Sequence, residues 1–307
     1  MSLLKSNLIL LLAAAIWGFA FVAQRVGMEY IGPYTFNGVR FALGSLSLLP
    51  LIIFFSRKPA SDANVGRDQS WKSAAMPGFI AGMVLFLGAS LQQVGLIYTE
   101  AGKAAFITCL YIVIVPLISR FVFKQPLTKM TLSGCLVAAV GLYLLCVKES
   151  FTISFGDLLE LIGALFWSAH ILLIDKFSRK IDVLKLAFLQ FATCSLLSLA
   201  TGLAIESVTL TGLHQAMIPI LYGGICSVGV AYTLQIVGQK YAQPSHAAVI
   251  LSMETVFAAV GGFILLDERL GTAELAGCAL MFGGMLLSQL KAGDAVKGAG
   301  EQLPVSE

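Results

Sequence analysis

Of the chain's 307 residues, 58% are hydrophobic and only 12% charged, about half the charged share of a soluble domain. A net charge of +3 with no block of Lys or Arg offers nothing to a nucleic acid and leaves a lipid bilayer as the expected environment.

Lys5 followed by the apolar run 8–23 resembles a signal peptide, but no polar mature domain follows, so a first transmembrane helix is the better reading. A helix needs about 20 apolar residues to cross ~30 Å of hydrocarbon. Cutting wherever charge, Pro or Gly clusters interrupt such runs predicts ten spans: 7–24, 34–55, 74–97, 103–123, 130–147, 156–175, 184–204, 215–237, 245–266 and 272–290. Helices are required because each backbone amide in lipid must be satisfied within its own segment, and the runs lack the period-two alternation of barrel strands. With the N-terminus inside, fifteen Lys and Arg residues are cytoplasmic and four lie on the other face, which places both termini in the cytoplasm. The six cysteines all fall inside apolar runs without a CxxC or Cys/His cluster and are read as small buried hydrophobes; no metal or cofactor is expected.

A shift of 143 brings Leu91–Tyr98 (LQQVGLIY) onto Leu234–Tyr241 (LQIVGQKY) with five identities in eight positions, and aligns Gly134-Cys135 with Gly277-Cys278 and Gly141 with Gly284. Nearer the N-terminus a shift of 150 pairs Leu11 with Leu161, Ala14 with Ala164 and Trp17 with Trp167. Each repeat holds five spans, and an odd number makes the second copy enter the membrane from the opposite side. The expected fold is therefore an all-α integral membrane protein of ten transmembrane helices in two inverted five-helix repeats: 1–150, 151–290 and a polar cytoplasmic tail, 291–307. Inverted repeats are typical of secondary transporters.

The residues that carry a family likeness are Trp17 in AAAIWGFAFVAQRVG, Arg40 in GPYTFNGVRFALGSL, and the closing ILSMETVFAAVGGFILLDERLGTAELAGCALMFGGMLL with its first-half counterpart CLYIVIVPLISRFVFKQPLTKMTLSGCLVAAVGLYLL. From about Leu8 to Leu290 the chain resembles the EamA-type, ten-helix branch of the drug/metabolite transporter superfamily. An acidic residue often precedes the closing helix of each half in that family; Asp267-Glu268 keep it, whereas the first half has Lys124-Gln125. The resemblance implies an inner (plasma) membrane transporter, commonly an exporter of amino acids, metabolites or drugs, with a central cavity lined mainly by spans 1, 3, 4, 6, 8 and 9.

Ionisable groups at bilayer depth are costly, by ~2.5–3.5 kcal/mol on insertion scales, so they face a cavity or a partner. Glu254, near the middle of the ninth span, is the deepest carboxylate and is read as a binder of a cationic group, as the proton carrier of exchange, or as a structural hydrogen-bonding group. Arg40 is the only Arg deep in a span. It is either an anchor for a carboxylate or phosphate or the counter-ion of Glu254 or Glu160, and the structural ion pair is favoured because the second span lies at the cavity's edge. His170, matched by Ala20, is a second proton-coupling candidate or a neutral histidine bonded within the bundle. Gln92 and Gln235 correspond by the repeat and suit polar solutes or interhelical bonding; Trp17 and Trp167 suit stacking or packing. Tyr111 corresponds to Glu254 and should face it across the pseudo-twofold. Lys103 and His246, also equivalent, are expected at the interface.

No HExxH, GxSxG, paired-Asp or Walker A motif is present, so neither an intramembrane enzyme nor an ATP-driven pump is expected. The expected function is secondary transport, with export by alternating access and proton coupling; a passive channel or structural membrane subunit is the alternative. The partners are a small-molecule substrate and the bilayer, and the protein is a monomer or homodimer.

Overall fold

The computed structural model describes residues 1–56, 70–99, 101–125, 127–146, 154–265 and 271–289, and every regular element among them is a helix. Most of the polar segment 57–72, the pair Asp267-Glu268, the side chain of Lys103 and the tail 291–307 lie outside the described residues. Several helices start where a short polar side chain takes up the otherwise unbonded first-turn N–H groups. Ser2 does so for α1 (Leu3–Met28) and Ser70 for α3 (Trp71–Tyr98). Ser154 forms a reciprocal capping box with Asp157 at the start of α7 (Phe155–Ser178), and Asp182 caps α8 (Val183–Ile205). α2 (Pro33–Ser56) begins with a proline, and its next two N–H groups, of Tyr34 and Thr35, each bond the Glu206 carboxylate beyond α8 at 2.8 Å.

Among the described residues eight segments are long and apolar enough to cross a membrane; α6 (Lys129–Cys146) and α14 (Thr272–Gln289) contribute only shorter apolar stretches of 10–17 residues. Three expected spans are not continuous α-helices. The fourth is α4 (Ala101–Thr108) and α5 (Tyr111–Phe121), broken at Cys109-Leu110. In the eighth, the short α9 (Leu210–Gln215) and α10 (Met217–Leu221) lead into a π-helix at Tyr222–Tyr232, followed by α11 (Thr233–Gln239). The ninth is α12 (Pro244–Leu251) and α13 (Glu254–Leu265), broken at Ser252-Met253.

Packing between helices is close where side chains are small. A Cβ on Gly134 would lie 2.6 Å from the Gly284 carbonyl oxygen, and one on Gly141 would lie 2.6 Å from that of Gly277, so α6 and α14 run antiparallel with their backbones touching. Between α2 and α8, Ser195 Oγ donates to the Gly38 carbonyl at 2.8 Å and Ser45 Oγ to the Phe188 carbonyl at 3.3 Å. A shift of 150 relates Ser45 to Ser195 and Gly38 to Phe188. Among the described residues two large apolar clusters result, one around α1, α5, α6, α12 and α14, the other around α2, α3, α7, α8 and the π-helix, with a smaller third of Ile31, Phe36, Ala216 and Ile220. Trp17 and Trp167 touch both large clusters, and the site lies at that junction.

Candidate functional site

The two helix breaks occupy equivalent positions, since Cys109-Leu110 moves onto Ser252-Met253 under the shift of 143. Around each, i→i+3 hydrogen bonds replace the α-helical ladder: Leu110 N–H to Ile107 O (3.1 Å) and Ile112 N–H to Cys109 O (3.0 Å), then Met253 N–H to Ile250 O and Thr255 N–H to Ser252 O (both 3.2 Å). Neither break contains Pro or Gly. In the second, the hydroxyls of Ser252 and Thr255 bond back to the carbonyls of Val249 and Ser252, at 2.9 Å each, in competition with regular helix. The first residues after the breaks are Tyr111 and Glu254, and they meet. Tyr111 OH donates to Glu254 Oε1 at 3.0 Å, and the Cys109 thiol donates to the same oxygen at 3.3 Å. Cys109 is thus a partner of the acid rather than only the small hydrophobe that its apolar run suggested.

Glu254 borders a cavity that encloses about 540 Å³ of empty space when its open portion is counted. Trp17, Gln92, Tyr111, Trp167, Gln235 and Glu254, all expected from the sequence, line it together. Phe21, Gln24, Thr108, Ile171, Ser227, Tyr232 and Leu251 line it as well and were not anticipated. The repeat relates four of these in pairs, since a shift of 150 takes Phe21 to Ile171 and a shift of 143 takes Thr108 to Leu251. Five equivalent pairs therefore wall the cavity: Trp17 and Trp167, Phe21 and Ile171, Gln92 and Gln235, Thr108 and Leu251, Tyr111 and Glu254.

The aromatic wall is built around Tyr232. Its ring lies 4.6 Å from that of Trp17, nearly edge-on, and stacks with that of Trp167 at 6.3 Å and 21°. The Trp17 indole N–H donates to the Ser227 carbonyl at 3.3 Å, an oxygen within the π-helix, where the ladder is widened. Gln92 and Gln235 are both buried, and Gln235 Oε1 has no hydrogen-bond partner among the described residues.

Three expectations are corrected. Arg40 makes no ion pair with Glu254, Glu160 or any other described carboxylate; the one ion pair among the described residues joins Arg179 to Asp175. Arg40 instead enters the cavity lining, so the second span contributes to the wall and is not merely at its edge. Glu160 is fully buried elsewhere, accepting from Thr108 Oγ1 at 2.8 Å. His170 does not line the cavity: it is fully buried and its Nε2 pairs with Gln190 Oε1 at 3.0 Å. Because Ala20 and Arg40 are the first-half equivalents of His170 and Gln190, the second half fills with a hydrogen-bonded pair what the first half leaves to a methyl group and a guanidinium. His246 is buried as well, with Nε2 2.9 Å from Thr131 Oγ1 of α6, and is not an exposed interface residue.

The EamA-like transporter family matches the chain twice, over residues 4–147 and 154–290. An uncharacterized transporter of Archaeoglobus fulgidus is 34% identical over 289 residues, covering 94% of this chain and 87% of that protein. The uncharacterized transporter YoaV of Bacillus subtilis is 24% identical over 278 residues, covering 89% of this chain and 92% of its own length. A solved crystal structure of a protein 18% identical superposes with a TM-score of 0.77 over 95% of this chain and 98% of that one, a likeness of fold alone.

Proposed function

The chain belongs to the EamA-like transporter family, of the drug/metabolite transporter superfamily that its motifs resemble, and from that premise we propose that it is a proton-coupled secondary transporter exporting a small metabolite, amino acid or drug. Its ten spans form two inverted five-helix halves, 1–150 and 151–290, with the tail 291–307 and both termini in the cytoplasm and the chain in the inner (plasma) membrane. α6 and α14 are the fifth and tenth spans; at about 1.5 Å per residue an 18-residue helix rises ~27 Å, close to the thickness of the hydrocarbon.

The observation that carries this reading is the cavity walled by five pairs of sequence-equivalent residues. A pocket shared in this way by two inverted halves lies on their pseudo-twofold axis, where rocking one half against the other opens it to either face. The crossed glycine contacts of α6 with α14 and the reciprocal Ser45 and Ser195 bonds support the same axis. Discontinuous helices at the site are a further property of such transporters, and both breaks fall next to Glu254 and Tyr111.

Within the site, Glu254 carries the coupling proton. Its Oε1 is held by Tyr111 and Cys109, which leaves Oε2 to take up and release a proton as the cavity changes face. Trp17 and Trp167 flank the solute, and Gln92 and Gln235 supply polar contacts. His170, off the cavity, orients α7 through Gln190.

A metabolite screen in reconstituted vesicles with an imposed pH gradient, comparing the native chain with Glu254→Gln, tests this. The amide retains an oxygen for Tyr111 and Cys109 but cannot carry the proton. Gradient-driven flux is lost in the variant while solute counterflow persists. Flux indifferent to both the gradient and the substitution would make the protein a passive facilitator.

A further inference from the structure

Arg40 is buried, with 3% of its surface exposed, yet it lines the cavity. The only hydrogen bond its guanidinium makes within the described residues runs from Nε to Asn37 Oδ1 at 3.0 Å. Asn37 is itself fixed, donating from Nδ2 to the Ala89 carbonyl at 3.1 Å. The guanidinium carbon lies 5.0 Å from the centre of the Phe41 ring and 5.6 Å from that of Phe36. These rings offset part of the charge, but they accept no hydrogen bonds from the terminal nitrogens. An Arg in a protein stays protonated, and a buried cation without an anion is strongly unfavourable.

Glu254 is held on Oε1 by Tyr111 and Cys109, and no described carboxylate lies within ion-pair distance of Arg40. A second donor of the wall is also unsatisfied, for the Trp167 indole N–H is buried without an acceptor among the described residues. A cation with free donors and an idle N–H in a wall of aromatic rings calls for an occupant with the opposite charge and a flat apolar body.

We infer that the cavity takes an organic anion, a carboxylate attached to an aromatic or branched apolar group, with its carboxylate on Arg40 and its body against Trp17, Trp167 and Tyr232. The planar guanidinium fork matches the two oxygens of a carboxylate. This deepens the transporter reading and rests on it for the cavity being the solute site.

The test is binding to the purified full chain in detergent, by calorimetry, with phenylacetate and indole-3-acetate each set against its amide. The pairs share their aromatic body and differ only in the charge. Each acid binds roughly ten- to a hundredfold more tightly than its amide, the range expected for hydrogen bonds to a charged group. Arg40→Gln erases the difference, and Arg40→Lys restores part of it. The comparison on the native chain needs no variant, so a folding defect at position 40 does not obscure it. Equal binding of acid and amide, or binding of neither, overturns the inference. That failure leaves the transporter reading standing, because gradient-driven flux of another solute in vesicles is measured independently.

Discussion

Replacing Gly134 or Gly277 with alanine perturbs the contact between α6 and α14 at two positions that the shift of 143 relates. At Gly134 the added methyl would stand 2.6 Å from Gly284 O and from Ser288 N; at Gly277 it would stand 2.6 Å from Gly141 O and from Leu145 N. These are backbone atoms on both sides, so no rotamer change relieves the clash. The helices must part by roughly 1 Å to restore an ordinary contact, and a gap of that size forfeits a quarter to a half of each neighbouring dispersion well. Overpacking of this kind costs about 1–3 kcal/mol, against about 0.5–1 kcal/mol gained by replacing a helical glycine with alanine. Gly283 supplies the control, since a Cβ there meets nothing within 4 Å; Gly283→Ala keeps the gain without the clash. Reversible unfolding in mixed micelles measures all three, and Gly134→Ala and Gly277→Ala should each fall about 1–3 kcal/mol below Gly283→Ala, by closely similar amounts. Equal stability of all three variants, or a large gap between the two contact glycines, would refute the symmetric contact.

Glu206→Ala removes the acceptor of two α2 backbone N–H groups and of the Thr35 hydroxyl, which donates at 2.6 Å. Losing such a cap lowers stability by about 1–2 kcal/mol, measured by the same unfolding assay. His170→Gln leaves the dependence of flux on pH unchanged, because His170 lies behind the cavity wall, bonded to Gln190; a displaced pH profile in vesicles would return it to the proton path.

Much of the site follows from the repeat. Tyr111 could be set opposite Glu254 by subtraction alone, and the structure joins them by a hydrogen bond. The shifts also relate Phe21 to Ile171 and Thr108 to Leu251, but both pairs contain ordinary core residues, and nothing in their chemistry separates a wall from packing. The breaks at Cys109-Leu110 and Ser252-Met253 are not legible in the sequence because neither dipeptide contains the Pro or Gly that usually announces one; at the second, the hydroxyls of Ser252 and Thr255 compete with the ladder instead. The π-helix at Tyr222–Tyr232 has apolar periodicity no different from that of an α-helix over so short a length. Arg40 departs from expectation for a different reason: a buried charge is expected to find its counter-ion within the chain, whereas Glu254 is held by Tyr111 and Cys109, and Glu160 by Thr108.

The most direct measurement of a shared cavity that alternates between faces uses Thr108→Cys and Leu251→Cys, repeat equivalents that both line it, in a background freed of other reactive thiols. Each is exposed to a membrane-impermeant maleimide from one side of sealed vesicles and then from the other, with and without a pH gradient. The account predicts that both positions react from the same face at any one condition and that the gradient moves them together to the opposite face. Reaction from both faces at once, or from neither under any condition, would contradict it.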